Sequence, residues 1–102
     1  MSTRAIISVC DEKEVFHLYI HRDGNPDKIV PLIEKARSYA WQFPRFEAGD
    51  FSSAIIRVMK KWAGDIYITN KPNDTLISFS YEVYIWEYGI MKIDVCSNNK
   101  KY

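Results

Sequence analysis

The sequence predicts an α+β domain, an antiparallel sheet of about five strands with two helices on one of its faces, in the order ββααβββ. Three observations predict it. Apolar residues alternate with a period of two in five short runs, they recur at helical spacing in two longer runs, and turn formers separate the runs. Because the two helical runs follow one another and strands lie on either side of the pair, both helices are expected on the same face of the sheet.

The first strand runs from Arg4 to Cys10, with Ala5, Ile7 and Val9 on one face and Ile6, Ser8 and Cys10 on the other. Asp11-Glu12-Lys13-Glu14 is fully charged and makes a hairpin connection to a second strand, Val15 to His21. There Phe16, Leu18 and Ile20 point to the core, while His17, Tyr19 and His21 point away from it. Arg22-Asp23-Gly24-Asn25-Pro26 is the strongest turn in the chain, since Gly and Asn accept positive φ and Pro ends a strand ladder.

The first helix is expected to begin between Asp27 and Val30, which puts Pro31 in its first turn, and to end by Gln42 ahead of Pro44. Ile29, Leu32, Ile33, Ala36 and Ala40 form its stripe. The second helix, capped by Asp50 or Ser52, runs to Ala63 with Gly64 as its stop, and its stripe is Phe51, Ala54, Ile55, Val58 and Trp62. The segment from Gln42 to Gly49 mixes rings with turn formers and reads as an ordered linker or as a partner-binding loop.

Three further strands are expected, at Ile66 to Asn70, Leu76 to Trp86 and Ile90 to Cys96, separated by the turns Lys71-Pro72-Asn73-Asp74 and Glu87-Tyr88-Gly89. A length of 102 residues supports one core. The expected organisation is therefore a single domain over 1–96, with 97–102 as a polar C-terminal tail.

Charge excludes several function classes. With 14 basic against 13 acidic residues, no global field draws the chain to nucleic acid or an anionic membrane. Arg57, Lys60 and Lys61 form a basic cluster that reads as the solvated side of a helix. No apolar run approaches the ~18 residues of a membrane span, and Met1-Ser2-Thr3-Arg4 shows no export pattern. The cytoplasm is the expected location. Cys10 and Cys96 lie in apolar runs, lack the spacing of a zinc or redox pair and read as buried free thiols, able to pair only if their strands are neighbours.

On the long fourth strand Ile77, Phe79, Tyr81, Val83 and Ile85 suit the helix side, which leaves Ser78, Ser80, Glu82, Tyr84 and Trp86 on the other. Together with His17, Tyr19 and His21 they predict an outer face rich in rings and poor in charge. Protein contact surfaces enrich such groups. Tyr19, His21, Tyr84 and Trp86 are accordingly the expected partner-binding residues, either for another protein or for a second copy of the chain; the alternative is that Tyr84 and Trp86 are covered by the chain's own loops, such as Gln42 to Gly49 with Trp41, Phe43 and Phe46. Rings on an open sheet also stack bases, yet single-stranded nucleic-acid readers add Lys and Arg for phosphates, and nucleic acid is the weaker expectation.

Met1-Ser2-Thr3-Arg4-Ala5, followed by a hairpin ending in Tyr19-Ile20-His21-Arg22-Asp23-Gly24-Asn25-Pro26, resembles a group of small phage, prophage and mobile-element proteins. Those proteins often begin Ser-Thr-Arg-Ala and carry a Tyr-x-His-x-Asp-Gly-Tyr-Pro segment. The likeness covers about the first quarter of the chain, and Arg22 and Asn25 stand where the group often has aromatic residues. It implies no catalytic mechanism. It does imply a phage or mobile-element setting, in which small domains commonly bind and block a host defence component in the manner of an anti-CRISPR protein.

Catalytic and metal readings are thinner. His21 and Asp23 flank the turn and can share a hydrogen bond suited to proton transfer, with Cys10 as a nucleophile only if the hairpin register brings it near. The alternative for Asp23, Gly24 and Pro26 is a structural turn. His17 and His21 lie four residues apart on a strand, roughly 13 Å, too far to share one metal. His21 with Asp23, Glu82 or Asp94 has no recognisable ligand spacing, so neither a metal nor a cofactor is expected.

Overall fold

A continuous apolar run such as Ala5-Ile6-Ile7, apolar on both faces, suits a strand with neighbours on both sides, where both rows of main-chain groups are paired. β1 (Ala5–Cys10) occupies that position. The computed structural model describes residues 3–43, 45–62, 66–71, 76–85 and 90–97, with only the backbone at Trp62. β2 (Val15–Ile20) pairs antiparallel with β1, β3 (Ile66–Thr69) pairs antiparallel with β2, and β5 (Met91–Ser97) pairs antiparallel with β4 (Phe79–Ile85). β4 pairs with β1 in parallel, and the strand order is β3-β2-β1-β4-β5.

The sheet is thus mixed, where alternation alone predicts an antiparallel one. The physical reason lies in the connections. β1 and β3 both run against β2, and the link over 70–78 is too long for a tight hairpin, so β4 can start from the same end as β1 and run alongside it. The expected turns at 71–74 and 87–89, and the helix stop at Gly64, fall largely or wholly outside the described residues.

Ala5, Ile7, Val9, Leu18, Ile20, Ile66, Tyr81 and Val83 form one buried cluster with both helices. α1 (Pro26–Ala36) contributes Ile29, Ile33 and Ala36, and α2 (Ala48–Trp62) contributes Phe51, Ala54, Ile55, Val58 and Met59. α1 starts earlier than expected, with Pro26 at its first position, so Pro31 lies in the helix interior, and the helix stops at Ala36. From there Arg37, Ser38, Tyr39 and Ala40 bond three residues back instead of four, and the Ser38 hydroxyl donates to the Lys35 carbonyl at 2.8 Å. A tightened last turn of this kind satisfies carbonyls without extending the helix.

The start of α2 also differs from expectation. Neither Asp50 nor Ser52 caps it: Asp50 accepts a bond from the Trp41 amide, and Ser52 is buried inside the helix with no partner for its hydroxyl among the described residues. The cap comes from the β1–β2 turn. One Asp11 carboxylate oxygen accepts from the amides of Lys13 and Glu14, and the other accepts from the Ala48 amide at 2.7 Å. These three amide bonds, that of Ala48 foremost, hold the Asp11 carboxyl below its usual range.

At the other end, Gly24 packs directly onto β1. A Cβ there would lie 2.7 Å from the Ala5 Cβ and 2.9 Å from the Thr3 carbonyl oxygen, which already accepts from the Gly24 amide. The Tyr81 hydroxyl donates to the Gly24 carbonyl from within the core. Burial, with the Asp27 carboxylate adding to it, pushes the Tyr81 phenol well above its usual value, so it remains a donor at any physiological pH.

Two outcomes are expected. Tyr81→Phe leaves a buried carbonyl unsatisfied and Gly24→Ala forces backbone against β1; each should cost about 1–3 kcal/mol in urea unfolding, and wild-type midpoints for both would contradict the packing. Asp11→Ala should lower Tm at neutral pH. A depressed carboxyl pKa contributes stability above the unfolded value of about 3.9 and loses it as pH falls through the folded value, so the gap between the two proteins should close in strong acid, and a constant gap would contradict the cap.

Candidate interaction site on the open sheet face

Residues of opposite parity to the core set line the face away from the helices. Register places them in rows: Tyr67, Tyr19, Ile6, Ser80 and Cys96 across the first, and Thr69, His17, Ser8, Glu82 and Asp94 across the second. Beyond these, Tyr84 stands opposite Lys92. Ile6 is only 2% exposed yet lies outside the helix-side cluster, so this face is not bare at its centre.

The aromatic groups gather at one corner. Tyr19 and Tyr67 lie directly opposite on β2 and β3, with ring centroids 5.1 Å apart, and the Tyr19 hydroxyl shares a hydrogen bond of 3.0 Å with Nδ1 of His21. Tyr19 and His21 are half-buried, whereas Tyr67 is 57% exposed. Tilted rings at such separations attract through their quadrupoles, which fixes the cluster before any partner arrives. Next to it β3 is an edge strand whose Ile68 is 63% exposed. A hollow of about 520 Å³ lies at the far end of the same strand pair, lined by Val15, Phe16, His17, Ile68, Thr69 and Asn70.

Of the residues expected to bind a partner, the structure brings Tyr19 and His21 together and keeps Tyr84 apart. Tyr84 is four positions along β4 from Ser80 and two strands across from Tyr19, roughly 13 Å one way and 10 Å the other. Its hydroxyl donates to Asp94 at 2.9 Å, and that bond, more than burial, raises the phenol's pKa. Trp86 lies outside the described residues. Tyr67 takes the place that the sequence assigned to more distant rings; the alternation Ile66-Tyr67-Ile68-Thr69 signals its outward direction, but only the β2–β3 register shows that it meets Tyr19.

The middle of the face is polar. The Ser8 hydroxyl shares a 2.7 Å hydrogen bond with Nδ1 of His17, and the Cys10 thiol donates to Glu82 across 3.7 Å. Burial first, then the charge and hydrogen bond of Glu82, raise the Cys10 pKa and keep it a thiol, which is a poor nucleophile. Cys10 sits at the opposite end of β1 from Ala5, the partner of Ile20, roughly 16 Å from the end that His21 follows. His21, Asp23 and Cys10 therefore do not assemble. Cys96 is on β5, separated from β1 by β4, and both thiols are free, but neither is buried as expected: Cys10 is half-buried and Cys96 exposed. Among the described residues no cluster of three His, Cys, Asp or Glu is placed to hold a metal, and no helix is long and apolar enough to cross a membrane.

The described rings of the linker between the helices turn to the other side of the sheet. Phe43 and Phe46 pack on the helix-side core, edge to face at 5.9 Å, and Phe46 continues onto Phe51 at 5.5 Å. Arg45 stacks over Trp41 and Arg37 over Phe43, so the segment is pinned by its own rings. No family model, curated protein or solved structure matches the chain.

Proposed function

We propose that the chain is a small non-enzymatic phage or mobile-element protein that works by binding another protein, a host defence component in the manner of an anti-CRISPR protein. The contact is made by the Tyr67, Tyr19 and His21 corner together with the β3 edge. The observation that carries this reading is the exposed Tyr67 ring held on Tyr19 beside a strand edge that no other strand pairs with among the described residues. Rigid rings bury much area at small entropic cost, and a free edge adds main-chain hydrogen bonds to a partner strand. The setting rests on the likeness of the first quarter of the chain to phage and mobile-element proteins.

Two other readings fit the geometry less well. Glu82 and Asp94 face each other across β4 and β5 on the same side as the rings, which repels the phosphates of a nucleic acid. A thiol hydrolase is disfavoured by the distance between Cys10 and His21 and by the protonated state of Cys10.

With the chain as bait in host lysate, Tyr67→Ala should weaken capture of its partner by about thirtyfold, the scale of a 2 kcal/mol hot spot. Far-UV circular dichroism should be unchanged, because Tyr67 contributes little to the core. Undiminished capture by the variant would reject this corner as the contact, and retention of an oligonucleotide in place of a protein would favour the nucleic-acid reading.

A further inference from the structure

On the helix side of the sheet a groove of about 420 Å³ opens between α1 and the β2–β3 edge. Its floor is apolar and belongs to four elements: Ile20 at the end of β2, Ile29 on α1, Met59 on α2 and Ile66 at the start of β3. Pro31 and the half-buried Leu32 form one wall. α1 therefore carries two stripes. Ile29, Ile33 and Ala36 enter the core, while positions 28, 31, 32 and 35 recur at the spacing of one helix face and line the groove. The rim is charged in one sense: Arg22, Lys28 and Lys35 stand around it against a single carboxylate, Asp23, among the described residues. The positive φ expected at Gly24 or Asn25 falls instead on Asp23, at φ 59, while Asn25 is extended at φ −68.

We propose that this groove binds a small amphiphilic carboxylate, an unbranched hydrocarbon body ending in one anionic head. The volume lies in the range of small-molecule sites, about 300–1,000 Å³. A hydrocarbon body laid along Pro31 and Leu32 onto the apolar floor removes both surfaces from water, and each buried methylene is worth about fourfold in affinity. The head is then placed at the cationic rim, where charge-assisted hydrogen bonds form best at the edge of an apolar site. A neutral chain of the same length loses that second contribution, and a purely polar anion loses the first. The site is independent of the open sheet face and does not rest on the protein-binding reading.

The test is calorimetric titration of the full chain with decanoate and with decanol, alongside 1H–15N shifts. Decanoate should bind saturably below its micelle-forming range, at least tenfold tighter than decanol, with shifts concentrated at Ile29, Leu32, Lys35 and Ile66. Lys28→Glu with Lys35→Glu, both exposed positions, should weaken decanoate at least tenfold and leave decanol unchanged. Absence of saturable decanoate binding, equal affinity for both compounds, or shifts confined to another surface would overturn the proposal. So would co-sedimentation with phosphatidylglycerol vesicles without binding of free decanoate, since the groove would then serve a membrane rather than a free molecule.

Discussion

The contact of Gly24 with β1, closed from below by the Tyr81 hydroxyl, is the constraint on which the remaining geometry depends. It joins four parts of the chain: the segment before β1 through Thr3, the turn itself, the start of α1 and the centre of β4. Only a residue without a side chain brings the turn this close to Ala5. The same turn carries His21 at one end and Arg22 and Asp23 in its middle. One anchored loop thus sets both the edge of the aromatic corner on the open face and part of the rim of the groove on the helix side.

A second constraint comes from Asp11, which ties the opposite end of β1 to the start of α2. β1 is consequently held at one end by the turn before α1, at the other by the start of α2, and along both sides by β2 and β4. Coverage declines outward from it. β3 is short and β5 largely exposed, so the unpaired main-chain groups of the sheet fall on its least covered strands. Free edges of this kind are where sheets meet partners, and the aromatic corner adjoins one of them.

Local chemistry was readable from residues. The alternation in Val15 to His21, the charged hairpin and the Gly24 to Pro26 turn all announce themselves within a few positions, and so does the separation of Tyr81 and Val83 from Glu82 and Tyr84. What escaped was set by distance along the chain. No local pattern says that β4 pairs with β1 in parallel, or that the cap of α2 is Asp11, 37 positions before Ala48. The early end of α1 at Ala36 reflects three-residue bonds from the amides of Arg37 to Ala40 back to the carbonyls of Glu34 to Arg37, and the Ser38 hydroxyl on the Lys35 carbonyl, which compete with helix continuation. Tyr19 and His21 were legible as outward-facing groups, but their companion Tyr67 was not, because cross-strand neighbours follow from register. The groove was hidden for a related reason: its lining comes from four elements and the turn before α1, which only the packing brings together.

The account makes the Gly24 turn part of the structural centre rather than a surface loop. Native-state hydrogen exchange of the Gly24 amide, bonded to the Thr3 carbonyl, tests this most directly. Exchange only through global unfolding, with protection equal to that of Ile7 in β1, is the predicted result. Exchange of Gly24 through local opening, while Ile7 stays protected, would contradict it.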